Sequence, residues 1–249
     1  MELKTIDDVI GELGEIMQWS EANKSRMGYF PSLYRKVTIR VKEEIAAGEF
    51  EVANRMENLD VVFASRYIDA FHAWQKNEPC SKSWEVAFTA APKWRYIVLQ
   101  HLLVGMNAHI NFDLAIAAAE IAPGSAIHDL EADFKQITGL LNDLTDSVKQ
   151  DLTQVWPLLR ILDWFGGRLG DWLANLGMKI ARNIAWENAV KLALLDPAER
   201  KAEIQRLDAE VGALGDIILS PSVLANQVIR FIRLGELKTV KRIIGILSD

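Results

Sequence analysis

Apolar residues recur every three to four positions along most of the chain, and strictly alternating apolar and polar positions are scarce. Such spacing puts apolar side chains on one face of an α-helix, which then packs against a core. The first pattern runs from Ile6 to about Trp19 and follows Thr5, a residue type favoured at helix N-termini. The pattern of the whole chain predicts an all-α fold.

Proline and glycine divide these patterns into about nine or ten predicted helices. After the first helix we expect the main ones near residues 31–47, 49–76, 93–121, 125–156, 157–175, 178–195 and 197–219, with a last pair separated near Gly235. The stretch 93–121 is apolar on most sides, so it is expected to be the central helix with the others packed round it. No repeat or linker interrupts the pattern, and residues 1–249 are expected to form a single domain.

The composition and charge of the chain argue against several classes of protein. The net charge of -6 and the sequence pI near 5.4 argue against nucleic acid as a partner, because phosphate contacts need clustered Lys and Arg. A single cysteine, Cys80, excludes an intrachain disulfide and any CxxC metal motif. No apolar run reaches the length of about 18 residues that a membrane span needs, and the acidic N-terminus lacks a signal peptide's features. We expect a cytoplasmic protein with at most weak interfacial membrane contact.

Five polar residues interrupt the apolar run of the central helix, and burying them costs free energy unless each finds a partner. They are His101, Asn107, His109, Asn111 and Asp113. Helical periodicity puts His109 and Asp113 on one stripe, whereas Asn107 and Asn111 share the opposite stripe with Gln100. Gly105 would let another backbone or a ligand approach between His101 and His109. The helix therefore carries an ionisable stripe and an amide stripe.

The ionisable stripe suggests a metal site. His109 and Asp113 are four residues apart, a spacing at which both side chains can reach one ion. An antiparallel turn near Pro123 would bring Asp133 of the next helix to the same level. This set of one His and two Asp suits zinc, iron or manganese and leaves positions open for water.

Three further residues complete the candidate site. His101 lies about 12 Å further along the helix, where it would bind a second metal or act as an acid or base. Asn107 would donate a hydrogen bond to the substrate or transition state. Arg66 would pair with Asp113 or Asp133, or hold an anionic substrate.

Other interpretations of the same residues stay open. The His109–Asp113 pair also fits a structural hydrogen bond, and the amide stripe fits an interhelical network. At the level of function, the first hypothesis is a metal-dependent hydrolase-like enzyme acting on a small molecule. The second is a non-enzymatic module that binds an apolar or aromatic ligand between the central helix and the helix after Pro157. The third is a helical interaction protein that uses its amphipathic C-terminal helices. The oligomeric state is not indicated.

One segment carries a resemblance to a known family. The run His101-Leu-Leu-Val-Gly-Met-Asn-Ala-His-Ile-Asn-Phe-Asp-Leu, preceded by Arg66-Tyr67 and Trp84-Glu-Val-Ala-Phe, resembles an uncharacterised bacterial family of all-helical domains. The likeness covers roughly residues 50–195. It implies an Asp about twenty residues further on and an Arg…Ala-Trp segment, and Asp133 and Arg182-Asn-Ile-Ala-Trp186 occupy those places. Because the family has no assigned activity, the resemblance supports the choice of residues and not a reaction.

Overall fold

The computed structural model describes residues 3–156 and 178–249, apart from the side chains of residues 138–149, 178–183 and 224. Within these ranges the chain forms eleven α-helices and no strand, which confirms the all-α prediction. The helices are α1 (Ile6–Ala22), α2 (Tyr29–Ala47), α3 (Ala53–Gln75), α4 (Lys82–Ala90), α5 (Val98–Ala108), α6 (Leu114–Ile121), α7 (Glu131–Val155), α8 (Met178–Leu194), α9 (Pro197–Leu219), α10 (Val223–Gly235) and α11 (Val240–Ser248). The helix expected at 157–175 lies outside the described residues.

Local sequence signals explain where several helices begin and end. At the start of α1 the Thr5 hydroxyl accepts a hydrogen bond from the backbone N–H of Asp8, whose carboxylate accepts one from the N–H of Thr5. These reciprocal bonds satisfy two N–H groups that the helix leaves without partners. At the end of α2, Gly48 adopts a φ of 76°, a left-handed conformation that glycine takes without steric cost.

The central helix is shorter and less regular than the sequence suggested. It begins at Val98 rather than at Lys93, because Ile97 is extended and its N–H donates to the Gln100 side chain. Residues His109–Asp113 then form a π-helical turn between α5 and α6. After Pro123 the chain forms a 3₁₀-helix over Gly124–Leu130 before α7 begins, so Ser125 does not start the next α-helix as expected.

Neighbouring helices enclose this interrupted central helix. Helix α5 packs against α2, α4 and α9, whereas α6 packs against α3 and α8. The stretch Val98–Ile121 is long and apolar enough to cross a membrane, but 83% of its most apolar window is buried inside the protein. This burial is typical of a core helix in a soluble protein. Any polar residue on the central helix must therefore find its partners inside the protein.

Candidate functional site

Helices α2 and α3 supply the walls around the π-helical turn. Phe30 and Tyr34 lie one turn apart on α2, and their rings face the imidazole of His109 at centroid distances of 5.4 and 4.2 Å. On α3 the ring of Phe63 stacks on the same imidazole at 3.6 Å with an interplanar angle of 10°. Tyr67, one turn further along α3, packs edge-on against Phe30. Helical spacing on two elements thus builds an aromatic cage around one histidine.

The π-helical turn positions the two ionisable residues of the central helix. Leu114 donates its backbone N–H to the carbonyl of His109, the i to i−5 bond that defines a π-helix. Such turns are rare and are found frequently at functional sites. Here the turn begins at His109 and ends at Asp113. The irregular backbone therefore coincides with the two ionisable candidate residues of the central helix.

Two donors hold the buried carboxylate of Asp113. The Nε of Arg66 donates to Oδ1 at 3.2 Å, and the indole N–H of Trp84 donates to Oδ2 at 2.8 Å. The Arg66 pairing is one of those that the sequence suggested. His109 Nδ1 lies 3.6 Å from Asp113 Oδ2, slightly beyond hydrogen-bonding distance. Asp113 is thus fixed in place beside the imidazole.

His109 is buried without hydrogen bonds. Its residue exposure is 4%, and neither ring nitrogen has a hydrogen-bond partner among the described residues. Burial lowers the pKa of His109 below its ordinary value, and this outweighs the opposite effect of Asp113. At neutral pH the ring is therefore neutral, with a lone pair available on one nitrogen.

Three other buried polar groups lie close by. The hydroxyls of Tyr34 and Tyr67 and Oδ2 of Asp60 have no hydrogen-bond partner in the described part of the chain. Burial, with a smaller contribution from the carboxylate of Glu57, raises the pKa of Asp60 to about 7. Burial also raises the pKa of Tyr34 well above its ordinary value, with the Asp60 charge as the second cause. We call Tyr34, Asp60, Tyr67, His109 and Asp113 the His109 cluster.

His101 lies in a separate environment next to this cluster. Its Nε2 has no hydrogen-bond partner among the described residues, and its ring packs edge-on against Tyr29. Burial, assisted by the positive charges of Arg26 and Arg233, lowers the pKa of His101 to about 3. The imidazole is therefore neutral at neutral pH, and its role as a second metal ligand or as an acid or base stays a prediction.

A small cavity separates His101 from the His109 cluster. It has a volume of about 20 Å³, which is enough for a water molecule. Tyr67, Trp84 and His101 line it, and the half-buried Arg26 lies at its edge. The space beside Gly105 is filled by a side chain instead of the expected backbone or ligand, since an added Cβ would lie 2.7 Å from the Phe30 ring.

The amide stripe has a different role. Gln100 donates to the carbonyls of Ile218 and Leu219, at the end of α9. Asn107 donates to the carbonyl of Val211 at 2.8 Å and accepts from Asn111 at 2.9 Å. These contacts match the interhelical network rather than the expected role of Asn107 as a donor to a substrate.

Asp133 takes part in another set of contacts. Its carboxylate accepts from the guanidinium of Arg55 at 2.7 Å and from the backbone N–H of Glu51 at 3.0 Å. No three His, Cys, Asp or Glu side chains that are described form a group that could hold a metal ion. His109 and Asp113 thus lie together as expected, whereas Asp133 does not join them in such a group. Metal binding itself stays a prediction.

Sequence reasoning missed two of the five residues of the cluster. Tyr34 and Asp60 were not singled out, and neither was Phe63 of the surrounding wall, although Asp60 lies on an apolar face of its helix with Met56 and Ala64. A carboxylate in such a position was the available signal, because burying one without a partner is costly. Tyr67 and Trp84 entered only through the resemblance.

Comparison with known proteins gives a family and no activity. Residues 6–221 match a family of unknown function (DUF5995), and the chain belongs to that family. The match extends beyond both ends of the stretch 50–195 that carries the resemblance. No curated protein matches the chain. No solved structure matches it either.

Proposed function

We propose that the chain is a hydrolase-like enzyme in which His109 acts as a general base and Asp113 positions it. One observation carries this proposal. A neutral imidazole is buried in an aromatic cage, and both of its nitrogens lack hydrogen-bond partners among the described residues. Leaving a buried polar group unpaired costs about 1–3 kcal/mol, so such a group is expected to meet water or a bound molecule.

Asp113 favours one of the two positions for the proton on the imidazole of His109. With a proton on Nδ1, the ring can donate to Asp113 Oδ2, now 3.6 Å away, after a shift of a few tenths of an ångström. Catalytic hydrogen bonds are often long in unliganded enzymes and shorten when substrate binds. The lone pair then lies on Nε2, which can accept a proton from a water molecule. That water would attack the substrate.

The rest of the cluster suits a small polar substrate. The hydroxyls of Tyr34 and Tyr67 stay protonated because burial raises both pKa values far above neutrality. They can therefore donate hydrogen bonds to an oxygen of the substrate that gains negative charge. Arg26, which lines the neighbouring cavity, is half-buried and places a positive charge beside Tyr67.

A metal-dependent version of this mechanism would use His109 and Asp113 as ligands of zinc, iron or manganese. The metal would lower the pKa of a bound water and generate the nucleophile. Elemental analysis of untagged protein, before and after addition of each metal, distinguishes the two versions. Stoichiometric metal that is lost in His109→Gln supports the metal site, whereas no bound metal favours the direct role of His109.

A binding module without catalysis is the second candidate. The cavity between His101 and Tyr67 has mainly aromatic and apolar walls, which suit an apolar ligand in kind, although at about 20 Å³ it must widen to hold more than water. The pocket expected beside the helix after Pro157 lies outside the described residues. A ligand that stabilises both the wild type and His109→Gln without being converted would favour this candidate.

The test of the enzyme proposal compares two histidine variants. Wild type, His109→Gln and His128→Gln are assayed on chromogenic esters, amides and phosphates and on a metabolite extract followed by mass spectrometry. Because general base catalysis contributes about 10²–10⁴-fold, His109→Gln should lower turnover at least about 100-fold. His128 is exposed, and its variant should match the wild type. If no compound is converted in a His109-dependent way, the proposal is wrong.

A further inference from the structure

We propose that α10 and the neighbouring turn at residues 93–95 form a surface that docks on an anionic lipid bilayer. The surface comprises Lys93, Trp94, Arg95, Val223, Arg230, Phe231 and Leu234, and we call it the α10 patch. This proposal is independent of the His109 cluster. It rests on the exposure, arrangement and charge of these seven side chains.

Large apolar side chains are unusually exposed in the α10 patch. The exposed fractions are 79% for Val223, 76% for Leu234, 67% for Trp94 and 60% for Phe231. Single exposed apolar residues are common on soluble proteins, but a contiguous group marks a contact surface. Ile232 is the one buried residue among the described side chains of α10. Most of the large apolar side chains that are described on this helix are therefore exposed.

The geometry brings the two segments of the α10 patch next to each other. Helical periodicity puts Val223, Arg230 and Leu234 on one stripe of α10, with Phe231 beside it and the buried Ile232 on the far side. The Nε of Arg233 donates to the carbonyl of Trp94 at 2.6 Å. This bond joins the 93–95 turn to the C-terminal end of α10.

The charge of this part of the chain indicates an anionic partner. The last 29 residues carry five Lys or Arg and two Asp or Glu, although the whole chain has a charge of -6. Lys93, Arg95 and Arg230 are exposed, and the described residues provide no ion pair to any of them. A basic, apolar surface on an acidic protein is complementary to an anionic surface.

A lipid bilayer fits this combination of residues. Tryptophan is favoured at the boundary between headgroups and acyl chains, and Lys and Arg extend their charges towards lipid phosphates. A helix with apolar residues on one face lies in the plane of that boundary, and anionic lipids strengthen its binding. The bilayer is thus the occupant that uses both the aliphatic face of α10 and the cations beside it.

Vesicle sedimentation with the full chain tests the proposal. Vesicles contain phosphatidylcholine alone or with about 30% phosphatidylserine, at low and high salt. We expect binding to the anionic vesicles that weakens as salt rises, and much weaker binding to the neutral ones. Absence of binding to the anionic vesicles at low salt would overturn the proposal.

Matched variants assign the binding to the α10 patch. Since each cation near an anionic surface contributes roughly fivefold, Lys93→Gln with Arg230→Gln should weaken binding about 25-fold. Trp94→Ala with Phe231→Ser should reduce it at least as much. The controls are Lys201→Gln and Leu194→Ser, which alter exposed residues outside the patch and should bind like the wild type.

The thermal unfolding temperature of each variant should match that of the wild type, since the four substituted side chains of the patch are exposed. Equal weakening by patch and control variants would overturn the assignment. Concentration-dependent self-association that is lost in the patch variants, without vesicle binding, would assign the surface to a second copy of the chain and also contradict the proposal.

Discussion

The two polar stripes of the central helix differ in how their polar side chains are paired. On the amide stripe, Gln100 and Asn107 donate to backbone carbonyls of α9 and so attach that helix to the core. On the ionisable stripe, Asp113 has two donors, but His109 has no hydrogen-bond partner among the described residues. Both stripes lie on one helix, and on the amide stripe Oδ1 of the half-buried Asn111 is the one buried polar side-chain atom without a hydrogen-bond partner among the described residues.

This difference distinguishes buried polar groups that stabilise the fold from buried polar groups that are candidates for binding or catalysis. Buried polar groups that stabilise a fold are almost always paired, because an unpaired group costs free energy. A cluster in which several such atoms are unpaired is expected to bind and release a ligand or substrate. The comparison therefore predicts that amide-stripe substitutions destabilise the fold, whereas some substitutions in the His109 cluster stabilise it.

The largest effect is expected at Asn107. Asn107→Leu should lower the free energy of unfolding by about 3 kcal/mol, because the Val211 carbonyl and the Asn111 amide lose partners inside the protein. Urea denaturation measures the change. The matched control is Asn54→Leu, an exposed substitution on α3 that should stay within about 0.5 kcal/mol of the wild type. If the two variants are equally stable, the amide stripe is not structural.

A smaller effect of opposite sign is expected at Asp60. Its pKa rises from an ordinary 3.8 to about 7 on folding, so the folded state holds its proton more tightly than the unfolded chain. The carboxyl therefore destabilises the fold increasingly as pH rises from about 4 to about 7, and the cost is constant above that range. Asp60→Asn should raise the free energy of unfolding by about 2 kcal/mol at pH 8, because the buried amide keeps part of the desolvation cost.

The pH dependence separates this effect from a general change in packing. Near pH 4 both Asp60 and its Asn replacement are uncharged in the folded state, and the two proteins should then be about equally stable. Urea denaturation at pH 4 and pH 8 makes the comparison, with the exposed Asp129→Asn as control. A stabilisation that is the same at both pH values would show that ionisation of Asp60 is not the cause.

Much of the fold follows from local sequence signals. Thr5, Gly48 and Pro197 mark helix ends because their side chains or backbone preferences act within one turn. The predicted starts fail at Lys93 and Ser125. The first α-helix after Lys93 begins only at Val98, where the Gln100 side chain accepts from the N–H of Ile97, and a 3₁₀-helix over Gly124–Leu130 precedes α7. The π-helical turn at His109–Asp113 is likewise invisible to a pattern based on regular helices.

The site was predictable where its residues share one helix. The spacing of His109 and Asp113 alone suggested their proximity, and the need of a buried Asp for a cation suggested Arg66. Apart from the Arg66–Asp113 pair, which was one of the pairings suggested for Arg66, contacts between helices distant in sequence were not predictable in this way. Asp133 was expected beside His109 from the turn, yet Arg55 of α3 pairs with its carboxylate. Asp60 lies on α3 and Tyr34 on α2. The hydrophobic pattern of one helix does not determine which of its residues meet the residues of another helix.

The protonation state of His109 tests the account most directly. The chain has four histidines, so long-range ¹H–¹⁵N spectra of ¹⁵N-histidine-labelled protein are simple, and His109→Gln assigns the signal. We predict a neutral ring with its proton on Nδ1, facing Asp113, and a pKa below the ordinary histidine value of 6.5. A ring that carries its proton on Nε2 would contradict the role of His109 as the base, and a ring that titrates near pH 6.5 would contradict the buried environment described for it.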